Sequence, residues 1–126
     1  MPAICNLGIA LNRLGGNQEL LRELIGFFAD DAPKLLSQIE TGLEQSDARQ
    51  IQLAAHSLVG LSANFEALPC KALAAQVEEH ARQGDLASVA GLASELKAGV
   101  HDLLAALGVP PQARPSRESG AAEPSR

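Results

Sequence analysis

The spacing of apolar positions marks helices from near the start of the chain to about residue 108. In "NLGIALNRLGG", Leu7, Leu11 and Leu14 share one side of a short first helix, which Gly15 and Gly16 stop. Asn17 is placed to cap a second helix, with Leu20, Leu21, Leu24, Ile25, Phe27 and Phe28 as its apolar residues. Pro33 is expected to kink or split that helix, with Asp31 available as a new cap, before the pattern resumes at Leu35, Leu36, Ile39 and Leu43. A third helix starts at Ser46 or Asp47 and runs to about Phe65. Pro69 suits the first turn of a fourth, which stops at Gly84. Asp85 caps a fifth, whose stripe is Leu86, Val89, Leu92, Leu96, Val100, Leu103 and Leu107, with Gly108 at its end. No segment alternates as a strand does. Short loops between long amphipathic helices predict an all-α fold: an antiparallel four-helix bundle with an additional short N-terminal helix. The bundle occupies residues 1–108, and 109–126 is a separate tail.

Composition narrows this picture. The tail reads "VPPQARPSRESGAAEPSR", with four prolines and no Leu, Ile or Phe, and is expected to be disordered because it has too little to bury. Residues 1–108 carry seven Lys and Arg against thirteen Asp and Glu, a balance of −6. Such a domain repels a phosphate backbone, so no nucleic-acid partner is expected. Cys5 and Cys70 stand far apart without metal-type spacing, which fits a reducing compartment and argues against a disulfide framework or a zinc site. With no membrane-length apolar run and no signal-peptide pattern, the expected location is the cytoplasm.

The third helix contains the position where chemistry is expected. On a wheel of about 100° per residue with Leu58 at zero, Ile51, Ala54, Ala55, Leu61, Ser62 and Phe65 fall within about 60°. His56 falls near 160°, beside Gln52 (about 120°), Ala63 (about 140°), Arg49 (about 180°), Gly60 (about 200°) and Leu53 (about 220°). The imidazole therefore faces water, and the positions one and two turns beyond it are Gly60 and Ala63. An exposed histidine is usually only a solvated residue. A glycine in mid-helix costs about 1 kcal/mol relative to alanine, however, and exposed helix positions are normally filled with Glu, Lys, Gln or Arg. Close approach of another macromolecule to the ring accounts for both features.

The run Ala55-His56-Ser57-Leu58-Val59-Gly60, followed by Glu66-Ala67, resembles the A-H-x-L-K-G-x-x-x-x-x-G-A pattern of the histidine-containing phosphotransfer (HPt) domains of bacterial phosphorelays. The helices before it, "ALNRLGGNQELLRELIGFFADDAPKLLSQIETGLEQSD", and the stretch "ALAAQVEEHARQGD" after it are similar to those of hybrid-kinase HPt domains, in order across roughly residues 5–107. The resemblance implies that His56 accepts a phosphoryl group from a receiver-domain aspartate and passes it to another. It also implies partners: response-regulator receivers and a hybrid histidine kinase. The receiver would hold the magnesium, so this chain would bind no cofactor and would be a phosphocarrier rather than an enzyme. Leu53 and Ala63 would meet the receiver, and Gly60 would leave room for it. Glu78, 22 residues after the histidine, matches a position at which relatives hydrogen-bond the ring.

Two residues depart from the pattern. Val59 stands where the family usually has lysine, with Arg49 and Lys71 as substitute cations. Glu66 stands where glycine is common; if positive φ were required there it would be strained, so the turn is expected to take a different path. Val59 keeps open an alternative function, an HPt-derived interaction bundle that binds a partner without being phosphorylated. His80 is expected to pack near a helix C-terminus and His101 to face out without the surrounding motif. A dimerising bundle would need a large exposed apolar stripe, and the pattern shows only Leu53 and its small neighbours, so a monomer is expected.

Overall fold

A computed structural model describes residues 3–109 of the chain; the expected tail, from Pro110 onward, lies outside the described residues. Five helices follow in order: α1 (Leu7–Arg13), α2 (Gln18–Glu44), α3 (Ala48–Ala63), α4 (Leu68–Arg82) and α5 (Leu86–Ala106). Helices α2 to α5 form a four-helix bundle in which each packs on its chain neighbours and α5 closes the ring against α2. Tight turns join them, so neighbours run antiparallel. Helix α1 packs on α2 and is tied to the α3–α4 turn, where the Asn6 N–H donates to the Phe65 carbonyl at 3.0 Å.

Caps and core follow the sequence pattern closely. Side chains of Asn6, Asn17, Asp47 and Asp85 each accept from the backbone N–H three residues on, satisfying donors that a helix start leaves free. Phe28 of α2 meets Phe65, beyond the end of α3, edge-on with ring centroids 5.6 Å apart. Around them Ile39, Ile51, Leu58, Val77, Val89, Leu96, Val100 and Leu103 are buried.

All five helices end alike. After each, a backbone N–H two or three positions past the cap returns to a carbonyl five residues back: Gly16 to Leu11, Asp47 to Gly42, Ala67 to Ser62, Asp85 to His80, and Val109 to Leu104. This closure places the preceding residue in the left-handed region. Gly15, Gly84 and Gly108 occupy it freely, but Ser46 (φ 54°) and Glu66 (φ 53°) occupy it with a Cβ. The α3–α4 turn therefore does not take a different path. Glu66 adopts positive φ, its strain offset by an ion pair with Arg13 and by the bonds that close the turn.

Helix α2 also corrects the expectation of a split. It continues through Pro33, and Asp31 is an interior residue rather than a cap. The proline removes one donor, at a cost of about 3 kcal/mol in a helix interior. Phe28 and Ala32 before it and Leu36 and Ile39 after it all enter the same core, and their burial holds the two halves in line. Leu20 and Phe27 lie outside that core: Phe27 is 57% exposed. Helix α3 stops at Ala63, just short of Phe65.

Candidate functional site

Helix α3 carries the site on the face opposite its buried one. Ile51, Ala54, Ala55, Leu58 and Ser62 are buried, which turns His56 outward with 72% of its side chain exposed. Small residues set the fit of α3 on α4: Ala55 and Ala74 are fully buried, and the buried Ser62 hydroxyl donates to Cys70 Sγ at 3.3 Å. Burial also pushes the Cys70 thiol up from its ordinary value. This close packing brings α4 alongside the imidazole.

The result is a specific contact. Nδ1 of His56 lies 2.9 Å from Oε2 of Glu78 on α4. An ionised carboxylate only accepts, so the hydrogen bond requires the proton on Nδ1. The lone pair of the neutral ring is then on Nε2, the nitrogen directed away from Glu78. The contact thus holds the neutral ring in one tautomer.

Gly60 lies one turn beyond His56, and a Cβ built there meets nothing within 4 Å. Its glycine is thus not demanded by packing within the chain. The contrast is Gly42, where a Cβ would sit 2.6 Å from Cγ1 of Ile51, so that glycine is needed for α2 to approach α3. Gly60 and Ser57 border an open groove whose other wall is α2, through Asp31, Lys34, Leu35 and Gln38.

The remaining expected residues separate into neighbours and outliers. Leu53 is 51% exposed, one turn before His56, and Ala63 is half-buried near the end of α3. Gln52 and Val59 are half-buried on the side of α3 turned toward α4, and Val59 packs against the core. A valine there extends the α3–α4 interface. Arg49 and Lys71 are exposed but distant: each is seven residues from the pair, from His56 on α3 and Glu78 on α4, about 10.5 Å along the helix. Neither is next to the ring. His80 is half-exposed, with Nδ1 3.2 Å from Oδ2 of Asp85, and His101 is exposed on α5.

Two exposed residues of α2 are not singled out as site candidates by sequence reading. Lys34 lines the groove, and Phe27, about 20° from it on the same face of α2, is more exposed than Leu53. A wheel centred on Phe28 sets Phe27 about 100° away from the core direction, which is the signal that marks it. Leu68 is also 52% exposed, so Leu53 is one of several exposed large apolar side chains. Among the described residues, no cluster of His, Cys, Asp and Glu could hold a metal ion, and no helix is long and apolar enough to cross a membrane.

Comparison with known proteins agrees with this architecture. No curated protein sequence matches the chain. In fold it is similar to the histidine-containing phosphotransfer protein B (HptB) of Pseudomonas aeruginosa PAO1, with a TM-score of 0.78 at 19% identity, over 86% of this chain and 94% of that one. The family model described as "Hpt domain" matches residues 23–106, from the first turns of α2 to the end of α5. On that match the chain belongs to the Hpt domain family, whose members are phosphotransfer modules of phosphorelays.

Proposed function

We propose that this chain is a phosphorelay intermediate that takes a phosphoryl group on Nε2 of His56 from a receiver aspartate and gives it to the aspartate of another receiver. The observation that carries the reading is the His56–Glu78 pair: an imidazole 72% exposed, with Nδ1 anchored at 2.9 Å and Nε2 open to a partner. In the forward step Nε2 attacks the phosphorus of an aspartyl phosphate. The P–N bond forms, the P–O bond breaks and the carboxylate departs. Attack by a second aspartate on the phosphoimidazole reverses these changes and restores the ring.

Phosphoryl transfer is governed by positioning and charge neutralisation. This chain supplies the nucleophile and a docking face that includes Leu53, Gly60 and Ala63. The magnesium and the acidic pocket belong to the receiver, on which the chain depends for turnover. On this reading the chain acts as a monomer that forms transient complexes with receivers through that face.

The test is incubation with a phosphorylated receiver domain. The expected product is an acid-labile, base-stable phosphoprotein that His56→Gln abolishes. Binding of the receiver without labelling would instead assign the chain to the non-phosphorylated adaptor function that Val59 leaves open.

A further inference from the structure

Phosphorylation places up to two negative charges on His56, on a face that already carries the Glu78 carboxylate. A cation close to the ring nitrogen would favour both the approach of the phosphoryl donor and the modified state. Position 59 cannot supply it, because Val59 is apolar and packs against the core. Most other cations near the bundle surface are engaged or far away. Arg13, Arg82 and Lys97 pair with Glu66, Glu79 and Glu40, and Arg49 and Lys71 stand two turns from the His56–Glu78 pair.

We infer that Lys34 of α2 is the phosphoryl-neutralising cation of this site, reaching His56 across the groove bordered by Ser57 and Gly60. Lys34 is exposed, has no ion pair among the described residues, and lines the same groove as those two α3 residues. Gly60, one turn beyond His56 and about 40° from it on α3, is where the groove meets the face that carries the ring. Gly60 places no side chain between the ammonium and the ring nitrogen, which gives the glycine a second use within the chain itself. The lysine stem has four flexible carbons and ends in a compact charge suited to moving onto phosphoryl oxygens. Asp31, the other charged residue of the groove, makes no ion pair with Lys34. Helix α2 thus takes the electrostatic role that α3 leaves vacant at Val59.

This inference rests on His56 being the phosphoacceptor, and the experiment separates the two. The probe is phosphoramidate, a small anionic donor: the imidazole nitrogen forms a P–N bond as the donor's own P–N bond breaks and ammonia leaves. Labelling is followed site by site by mass spectrometry at low and high salt. His101, exposed on α5, serves as the internal reference. Lys34→Ala should slow labelling of His56 by about tenfold at low salt, the lower end of what a focused charge does to an encounter rate. It should also flatten the salt dependence while His101 is labelled as before. Val59→Lys added to Lys34→Ala should restore the rate by returning a cation to α3. Equal His56 labelling with and without Lys34 overturns the inference and leaves the relay reading intact. A wild-type His56 that takes no label while His101 does removes both.

Discussion

Nδ1 of His56 on α3 and Oε2 of Glu78 on α4 are 2.9 Å apart, so an exposed imidazole of one helix is oriented by a carboxylate from the next. The bond selects the tautomer that leaves Nε2 unprotonated. Glu78→Ala is expected to slow phosphotransfer about tenfold, since a charge-assisted hydrogen bond near the surface contributes at the low end of ~1.5–3 kcal/mol. Glu78→Gln keeps an acceptor on its amide oxygen and should lose less. Rapid-mixing transfer from a phosphorylated receiver measures both, with circular dichroism showing an intact bundle.

Gly60 separates folding from function. A side chain there meets nothing within the protein, and alanine is a better helix former by about 1 kcal/mol. Gly60→Ala should therefore raise the unfolding midpoint in urea, while Gly60→Leu should also slow transfer by filling the approach to His56. A Gly60→Leu variant that transfers at the normal rate would rule out the steric account.

The left-handed residues that close the helices lead to a paired stability prediction. Removing strain of about 1–2 kcal/mol at Ser46, less ~0.4–1 kcal/mol for the freer unfolded chain, makes Ser46→Gly stabilising. The expected gain is roughly 2–4 °C in Tm. Glu66→Gly relieves similar strain but gives up the ion pair with Arg13, so its gain should be smaller and should match that of Ser46→Gly when Arg13 is already alanine. Differential scanning calorimetry of the four variants tests the balance.

Packing at two points should be intolerant. Gly42→Ala drives a Cβ to 2.6 Å from Ile51 and should destabilise by about 1–3 kcal/mol through overpacking. Phe28→Ala empties the centre of the core beside Phe65 and should cost about 3–5 kcal/mol. Urea denaturation, with constant m-value, is the measurement.

The α4–α5 turn predicts a pH dependence. Hydrogen bonds from the Ser88 hydroxyl and N–H, aided by His80, hold the Asp85 carboxyl below its ordinary value of 3.8. A depressed carboxyl contributes stability that is fully present above the unfolded value and is lost as pH falls through the folded one. Asp85→Asn, which keeps a capping oxygen, should flatten the acid limb of the stability curve below about pH 4. The wild type and the variant, compared by thermal melts between neutral and strongly acidic pH, should diverge only on that limb.

Much of this molecule is legible along the chain because its signals are local. Apolar residues at helical spacing, Asn17, Asp47 and Asp85 as caps, and Gly15, Gly84 and Gly108 as stops give the helices within a few residues. The direction of His56 follows from the same periodicity, because a residue's azimuth on a regular helix depends only on its position relative to the buried stripe. Pro33 is misread by local rules, since the core contacts that carry α2 through it lie on other helices.

What stands beside His56 depends on how helices are rotated and slid against one another. Glu78 is reachable from sequence only through the family resemblance; the seating of Ser62, Cys70 and the buried alanines at the α3–α4 contact sets its 2.9 Å approach. Lys34 has no sequence signal at all, for it comes beside Ser57 and Gly60 only where α2 and α3 enclose a groove. Glu66 is held at positive φ by a turn whose bonds run to Ser62 and Ala63 and whose far side is tied to α1. By itself the sequence determined the helices and the outward face of the histidine, because hydrophobic periodicity is a property of one segment. Its neighbours were decided by tertiary packing, because side-chain contact between helices depends on register and rotation that no single segment encodes.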